Sequence, residues 1–314
     1  MNYYTIGIDI GGTHVRAVAY DLEKNKYSQI KKVRFEYKKD VIEEIQINLC
    51  GLISDICAMS EYTDMKLAGI GIALAALFVR DTGQITVWPN NQKWNGFQLK
   101  DYLEEYFKVP IVLEDDVNAA AKGEQCLGVA RGYKNFAYVT ISTGIGCGIV
   151  LNDNLFIGEH GWAGELGHIK VTHKDIRCTC GANGCLQAIA SGPAILETYI
   201  KQCNSNTSIT IKDVVDRGKR GDAVAKKVFE KAGNLIGENI ANFIMLFDIS
   251  FIVLGGGVIE AGEIITNPIR MGIKCALEHK RIVKVTESKL NGVNGVLGII
   301  EIINQYVQNE NVVN

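Results

Sequence analysis

A histidine and three cysteines lie close together in the middle of the chain, with the spacing of metal ligands. They are His168, Cys178, Cys180 and Cys185. Thiolate and imidazole groups suit Zn²⁺, and four of them complete a closed tetrahedral site. The alternative is a set of unrelated residues, because free cysteines are often buried. The spacing favours structural zinc, which would also fix Glu165, three residues before the histidine.

A glycine-bearing turn near the N-terminus could bind phosphate. It follows an apolar strand and contains Asp9, Gly11, Gly12 and Thr13. Glycine lets backbone N–H groups approach an anion, and Thr13 adds a hydroxyl donor. Asp9 can hold Mg²⁺ through water. A plain hairpin turn is the alternative, since Gly-Gly is also a common hairpin signal.

Two further glycine turns come later in the chain. Residues 142–148 have the spacing G-x-G-x-G between two strands, and residues 254–258 carry three glycines after a buried strand. Neither is the dinucleotide pattern G-x-G-x-x-G, and the chain has no G-x-x-x-x-G-K-[ST] sequence, so Rossmann and P-loop sites are not predicted. Each turn alone is weak evidence, but the three together indicate a nucleotide site.

Acidic residues join an apolar strand to an Ala-rich helix in the segment Glu114–Asn118. A carboxylate at the start of a helix can be an ordinary N-cap. The functional alternative makes Asp116 a general base that accepts the proton of a substrate hydroxyl as its oxygen attacks phosphorus. Phosphoryl transfer requires little from the protein beyond positioning and charge neutralisation. In that interpretation Glu165 and His168 would bind the hydroxyls of a polyol.

The elements that must position these residues alternate between strands and helices. Strands are predicted at 4–9, 15–20, 66–73, 111–114, 136–142, 149–151 and 251–254, and helices at 41–60, 99–106, 118–127, 222–247 and 295–308. This alternation predicts an α/β protein. The opening pattern restarts near residue 136, which predicts two lobes of related design with the site in the cleft between them.

Composition narrows the class of protein. A chain of 314 residues exceeds one core of ordinary size, which also favours two lobes. The net charge of −2 argues against nucleic acid as the main partner. The N-terminus lacks a signal-peptide pattern, and no apolar stretch reaches the roughly 18 residues of a membrane helix. The six cysteines outside the metal motif are scattered, as in a reducing cytoplasm, so we expect a cytoplasmic protein.

Six motifs, in order along the chain, resemble those of the ROK family, which is named for its repressors, unknown open reading frames and sugar kinases. The motifs are DIGGTHVR, DDVNAAAKGE, STGIGCGI, GWAGELGHI, CTCGANGC and LGGGV. The resemblance implies a two-lobed actin/hexokinase-like (ribonuclease H-like) ATPase fold that closes on sugar and MgATP. The first lobe would hold residues 1–117 and 297–314, and the second would hold residues 118–296 with the zinc site. A homodimer is implied as well.

The resemblance also assigns roles residue by residue. Asp116 would be the catalytic base. Glu165 and His168 would bind sugar hydroxyls, with the second ring nitrogen of His168 on zinc. Three more residues would lie on the sugar side: Asn90, Asp115 and Gln187. The residues that attend the nucleotide and its metal would be Asp9, Gly11, Gly12, Thr13, His14, Arg16, Thr143, Gly144 and Gly256. For His14, a solvated turn residue is the alternative.

Three departures from the family pattern fall on the sugar side. Asp115 stands where the family usually has Asn, and Gln187 stands where its sugar kinases commonly have Glu. The segment Ala73–Phe78 lacks a Pro-Gly that the family often shows. These changes argue against fixing glucose as the preferred sugar. Some members that resemble D-allose kinases also lack the Pro-Gly and have a charged residue before the catalytic Asp.

The resulting prediction is a zinc-stabilised, MgATP-dependent kinase of glucose or a close relative such as allose, acting at the 6-hydroxyl. The alternatives are an N-acetylmannosamine or N-acetylglucosamine kinase and a sugar-binding ROK protein without turnover. ROK repressors carry a helix-turn-helix before the first phosphate turn. Because Asp9 is the ninth residue, we expect no such DNA-binding module here.

Overall fold

The computed structural model describes residues 2–89, 91–203, 209–278 and 281–310. The strands are β1 (Tyr3–Ile10), β2 (His14–Asp21), β3 (Lys26–Tyr27), β4 (Lys31–Arg34), β5 (Lys66–Leu74), β6 (Leu77–Phe78), β7 (Ile85–Val87), β8 (Ile111–Asp115), β9 (Phe136–Ile141), β10 (Ile145–Leu151), β11 (Asn154–Leu155), β12 (Phe251–Gly255) and β13 (Lys284–Glu287). The α-helices are α1 (Val41–Ile45), α2 (Leu52–Cys57), α3 (Leu99–Phe107), α4 (Asp116–Cys126), α5 (Leu186–Ala190), α6 (Gly192–Cys203), α7 (Ile211–Lys219), α8 (Ala223–Phe247), α9 (Glu263–Ala276) and α10 (Asn294–Asn309).

The predicted α/β alternation is confirmed, and three of the predicted elements differ from the observed ones by more than one residue at an end. The helix predicted at 41–60 is α1, a π-helix at Gln46–Gly51 and α2. The helix predicted to start at 118 starts at Asp116. The strand predicted at 149 begins at Ile145, so most of the G-x-G-x-G segment belongs to β10. Glycine in a strand allows close backbone approach, and the Cys147 N–H of β10 donates to the Gly164 carbonyl at 3.1 Å.

The chain divides into two compact units. Unit 1 comprises Met1–Arg131, Ile157–Ala163 and Leu290–Asn314, and unit 2 comprises Gly132–Phe156 and Gly164–Lys289. All of α4 therefore lies in unit 1, whereas the boundary predicted from the sequence falls after residue 117. The C-terminal α10 also lies in unit 1, although the whole of unit 2 precedes it in the sequence.

The sheet of unit 1 has the strand order β3-β2-β1-β5-β8, and β4 also pairs with β2. β1 and β2 form an antiparallel hairpin, while β5 and β8 run parallel to β1. Pairing of Ile10 with Leu74, and of Leu74 with Asp115, brings the carboxyl ends of three parallel strands to one edge. That edge is where open α/β sheets hold their ligands.

Small residues let α10 lie close to this sheet and to α4. A Cβ on Gly71 of β5 would stand 2.8 Å from the Ile299 carbonyl of α10. A Cβ on Gly298 would stand 1.7 Å from the Ala119 carbonyl of α4. Such approaches exclude larger side chains, because packed interiors leave no free volume to absorb them. The C-terminal helix is thereby fixed against the strands that carry the acidic residues.

The sheet of unit 2 repeats the same pairing plan, with the order β11-β10-β9-β12-β13. The hairpin of β9 and β10 is antiparallel, and β12 and β13 continue parallel to β9. The buried faces of α8 and α9 pack on each other in the core of this unit. None of the helices within the described ranges is both long enough and apolar enough to span a membrane.

Candidate active site and metal site

Three aspartates of unit 1 lie near one another at the carboxyl ends of its parallel strands. Asp9 is the next-to-last residue of β1, Asp115 ends β8, and Asp116 begins α4. Both Asp9 and Asp115 are close enough to Asp116 to act on its ionisation. The fold therefore assembles the predicted catalytic base and the predicted magnesium ligand in one acidic group.

Asp115 is the N-cap of α4. Its backbone is extended, with φ −62° and ψ 142°, and its carboxylate accepts hydrogen bonds from the N–H groups of Val117 at 2.9 Å and Asn118 at 3.1 Å. The ordinary cap at this corner is thus Asp115, and Asp116 is the first residue of the helix. Because Asn caps helices as well as Asp does, Asp115 preserves the capping function of the residue that the family usually has here.

Removing this cap has a testable cost. We expect Asp115→Ala to destabilise unit 1 by about 1 kcal/mol and Asp115→Asn to be close to neutral, because only Asn retains an acceptor for the two N–H groups. Denaturant-induced unfolding measures the difference, with Asp64→Ala in an exposed turn as the control. Equal destabilisation by both substitutions at position 115 would contradict the capping role.

Asp116 has an unusual environment for a carboxyl group. Burial raises the pKa of Asp116 well above its ordinary value of 3.8, and the negative charges of Asp115 and Asp9 raise it further. The backbone N–H groups of Val117 and Asp116 oppose the shift without cancelling it. A buried carboxyl group with a raised pKa holds a proton more readily than an ordinary aspartate does, as a general base requires.

Asp9 is 8% exposed and is paired with Arg16, whose Nη1 lies 3.4 Å from the Asp9 Oδ2. Burial raises the pKa of Asp9, and the guanidinium of Arg16 partly offsets this effect. Gly295 of α10 faces the carboxyl group, where a Cβ would stand 3.2 Å away. No sequence motif pointed to Gly295, because it belongs to a helix nearly 300 positions away along the chain.

The first glycine turn is closed by a hydrogen bond from the Gly11 N–H to the His14 carbonyl at 3.0 Å. Gly12 and Thr13 are exposed, which leaves the turn open to a ligand. The backbone of this turn does not use the positive φ that glycine allows. A neighbouring loop supports it, since the Tyr37 hydroxyl donates to the Gly12 carbonyl at 2.5 Å.

His14 lies among positive charges at the end of this turn. β2 pairs with β4, which places Arg34 opposite His14 and Lys32 opposite Arg16. Desolvation lowers the pKa of His14, and the charges of Lys32, Arg16 and Arg34 lower it further. A neutral imidazole beside the turn can donate one hydrogen bond and accept another.

The second and third glycine turns lie together in unit 2. Parallel pairing of β9 with β12 places Thr140 opposite Gly255. In the third turn Gly256 adopts φ +89°, and a Cβ there would stand 2.4 Å from the Ile141 carbonyl. Thr143 is exposed in the adjoining turn. The nucleotide residues predicted for these two turns are therefore neighbours.

The four predicted metal ligands converge in unit 2. One ligand atom from each of His168, Cys178, Cys180 and Cys185 lies within 4.8 Å of the others. The Cys180 and Cys185 sulfurs are 3.7 Å apart, and Cys178 Sγ is 3.7 Å from His168 Nδ1. Zn–S bonds of about 2.3 Å in a tetrahedron give S–S edges of about 3.8 Å, so the donor set fits Zn²⁺.

The turns and charges of this cluster also suit a cation. Gly181 and Gly184 have φ +93° and +77°, as tight turns between ligands require. Burial alone would raise the pKa of Cys178, but hydrogen bonds from Cys180, Cys185 and His168 outweigh it and lower the pKa to about 7. Burial and the neighbouring thiols raise the pKa of Cys185 to about 12. A divalent cation relieves such crowding of thiolate charge.

Glu165 and His168 are joined by a single 3₁₀ turn. The His168 N–H donates to the Glu165 carbonyl at 2.9 Å, and His168 Nε2 lies 3.6 Å from Glu165 Oε2. Because Nδ1 faces Cys178, the two ring nitrogens point to different partners. Partial burial raises the pKa of Glu165, and His168 opposes the shift. This geometry supports the predicted dual role of His168.

Gln187 connects the cysteine loop to the second glycine turn. Its Oε1 accepts from the Ile145 N–H at 3.3 Å, and its Nε2 donates to Thr179 Oγ1 at 3.2 Å and faces Cys178 Sγ at 3.7 Å. These contacts add a supporting role to its predicted sugar contact, which stays a prediction. Asn90, another predicted sugar contact, lies outside the described residues.

Comparison with known proteins identifies the class and then the family. A solved ROK glucokinase from Streptomyces griseus, in complex with glucose and AMPPNP, is 29% identical and matches with a TM-score of 0.78 over 95% of this chain and 98% of its own. The predicted actin/hexokinase-like α/β fold is thereby confirmed. A sequence model of the ROK family matches residues 5–306, and the chain belongs to that family, as the motifs predicted.

Curated relatives include both kinases and regulators. The glucokinase of Halalkalibacterium halodurans is 32% identical over 278 residues, which cover 84% of this chain and 83% of the relative. The xylose repressor of Bacillus spizizenii is 29% identical over 271 residues, which cover 85% of this chain and 67% of the relative. The relatives of this chain therefore include both kinases and repressors, and the residues of the site must distinguish between these two classes.

Proposed function

We propose that this chain is a kinase that transfers the γ-phosphoryl group of MgATP to the 6-hydroxyl of glucose or a close relative such as allose. The observation that carries the proposal is the difference between two adjacent carboxylates. Asp115 caps α4, and Asp116, with its raised pKa, remains to accept a proton. Likeness to glucokinases, one of them solved with glucose and AMPPNP, supports this assignment.

The proposed chemical step centres on Asp116. Its ionised carboxylate accepts the hydroxyl proton as the sugar oxygen attacks the γ-phosphorus. The new O–P bond forms while the bond to the β,γ-bridging oxygen breaks, and ADP leaves with that electron pair. Asp116 must then release its proton before the next turnover. Its raised pKa disfavours this release, and a higher pH favours it.

The other site residues would bind and orient the two substrates. The carboxylate of Glu165 and the Nε2 of His168 bind sugar hydroxyls, and Asn90, Asp115 and Gln187 complete the sugar contacts. The backbone N–H of Gly12, the Thr13 hydroxyl, His14 and Arg16 would face the phosphates, and Gly11 closes the turn that presents them. Thr143, Gly144 and Gly256 attend the remainder of the nucleotide. Asp9 would hold Mg²⁺ through water, and the bound Mg²⁺ would neutralise phosphate charge.

The cysteine and histidine ligands would hold structural zinc. When bound, zinc crosslinks the loop 178–185 to His168. As a ligand, the Nδ1 of His168 would hold the plane of the imidazole ring, so the Nε2 of the same ring would keep its direction towards Glu165. The chain would therefore couple the integrity of this loop to sugar affinity.

Two alternatives share the same site. An N-acetylmannosamine or N-acetylglucosamine kinase would use the same base with a different sugar pocket. The departures from the family pattern at Asp115 and Gln187 support this alternative, because both fall on the sugar side. A sugar-binding ROK protein without turnover is supported by the likeness to the xylose repressor. A cytoplasmic homodimer that binds neither nucleic acid nor membrane stays a prediction from the sequence.

The deciding experiment is a coupled ATP-consumption assay across glucose, allose, mannose, fructose, N-acetylglucosamine and N-acetylmannosamine. We expect strong turnover with one hexose and little ATP hydrolysis without sugar. Turnover with an N-acetylated sugar alone would select the first alternative. Absence of turnover with every sugar, while one of them still raises the melting temperature, would overturn kinase activity on this panel and favour the non-catalytic protein.

A further inference from the structure

Arg80 forms a two-pronged ion pair with Glu114, the residue before the acidic corner. Its Nη1 donates to Glu114 Oε2 at 3.0 Å, and its Nη2 donates to Oε1 at 2.6 Å. The Glu114 side chain is 6% exposed and that of Arg80 is 27% exposed. Paired, nearly parallel hydrogen bonds of this kind fix direction as well as charge.

The same carboxylate binds both sides of Asp116. Glu114 Oε1 also accepts from the Asp115 N–H at 3.0 Å and from Asn118 Nδ2 at 3.0 Å. Asn118 is 2% exposed and lies in the first turn of α4. Asp116 therefore stands between two residues that are held by one carboxylate, and that carboxylate is held by Arg80.

The guanidinium group of Arg80 is itself confined. It lies 5.8 Å from the centre of the Phe78 ring. On another side it meets Gly161, where φ is +80° and a Cβ would stand 2.2 Å from Arg80 Nε. A Cβ at this position would push the guanidinium group aside, and the positive φ also disfavours residues other than glycine.

We propose that Arg80 is a positioning residue that fixes the direction of the Asp116 carboxylate through Glu114. The inference rests on the proposed kinase activity. Without Arg80, Glu114 would be a buried, unpaired charge next to Asp115 and Asp116, and such a charge protonates or turns towards water. Either response weakens the hold on the Asp115 N–H and on Asn118.

The expected consequence is a slow enzyme that still binds sugar. A displacement of about 1 Å at a reacting group can cost on the order of 100-fold in rate. We expect Arg80→Met to lower kcat by about 100-fold and to change the sugar dissociation constant by less than about threefold. Arg80→Lys, which supplies charge without the planar fork, should fall between wild type and Arg80→Met. Lys24→Met removes a 67% exposed lysine side chain that pairs with Asp21, and as the matched control it should retain wild-type kcat.

A double substitution separates positioning from general loss of structure. Gln at position 114 keeps an oxygen for the Asp115 N–H and for Asn118 but has no charge to neutralise. The double variant Arg80→Met/Glu114→Gln should therefore have a higher kcat than Arg80→Met alone. Circular dichroism and calorimetric sugar binding test whether each variant is folded. If Arg80→Met does not fold, the comparison of Arg80→Lys with the wild type tests the proposal instead.

Each outcome has one meaning. A reduced kcat in Arg80→Met, with sugar binding kept and partial recovery in the double variant, supports the positioning role. An unchanged kcat in Arg80→Met, or a double variant slower than the single one, overturns that role and leaves the proposed kinase activity intact. Absence of turnover in the wild-type protein with every sugar overturns the kinase activity and this inference with it.

Discussion

Replacing Asp116 with Asn is expected to lower kcat by about 10³-fold or more, because the amide cannot accept the hydroxyl proton as the sugar oxygen attacks phosphorus. Sugar binding should change little, since Asn fits the same space and keeps a hydrogen-bonding side chain. The coupled ATP-consumption assay measures kcat, and isothermal calorimetry without nucleotide measures the sugar dissociation constant. A large loss of turnover with sugar binding retained would support the assignment of Asp116 as the base.

The matched control is the neighbouring carboxylate. Asp115→Asn keeps the cap of α4, so we expect kcat at saturating sugar to stay close to that of the wild type, while the change at its predicted sugar contact should appear in KM. Equal loss of turnover in both variants, or parallel loss of turnover and sugar binding in Asp116→Asn, would contradict the assignment of Asp116 as the base.

The raised pKa of Asp116 adds a pH signature. The base is active when ionised, so kcat/KM should fall as the pH decreases through that pKa, with a midpoint well above 3.8.

The raised pKa of Asp116 also affects stability. The folded protein keeps this proton to a higher pH than the unfolded chain does, so the contribution of Asp116 to stability is lost as the pH rises from about 3.8 through the folded pKa. Asp116→Asn removes this loss, and at pH 8 the variant should melt at a higher temperature than wild type. A lower melting temperature would contradict the raised pKa.

Replacing Cys180 with Ser is expected to lower zinc content, melting temperature and sugar affinity together. Cys180 is exposed, so the substitution removes a ligand with little effect on core packing. Loss of one of four ligands opens a closed structural site, and metal binding contributes directly to folding. Elemental analysis measures the zinc content, differential scanning calorimetry the melting temperature, and isothermal calorimetry the sugar affinity.

Cys275 supplies the control for this substitution. It is also an exposed free cysteine, but it lies in α9 and outside the ligand cluster. Cys275→Ser should leave all three measurements unchanged, and a chelator added to the wild-type protein should reproduce the lowered melting temperature. Zinc content that is unchanged in Cys180→Ser would contradict the ligand assignment.

The sequence alone predicted the parts of the site whose residues are close together in the chain. The four predicted metal ligands between positions 168 and 185 lie close together, because two glycines and short loops leave the backbone few ways to close. The same holds for the glycine turn beside Asp9, where the strands on either side determine its place. The α/β class followed from the alternation of apolar runs, since strand and helix periodicity is a local property.

Only the tertiary structure shows which residues from distant segments contact the acidic residues at the start of α4. The sequence could not say which of the two adjacent aspartates caps α4, because both are good caps and the backbone angles at Asp115 settle it. Arg80 lies 34 positions before Glu114, and Gly295 lies in a helix at the other end of the chain from Asp9. No local pattern encodes such pairs, since strand order and helix packing bring them together only when the whole unit has folded.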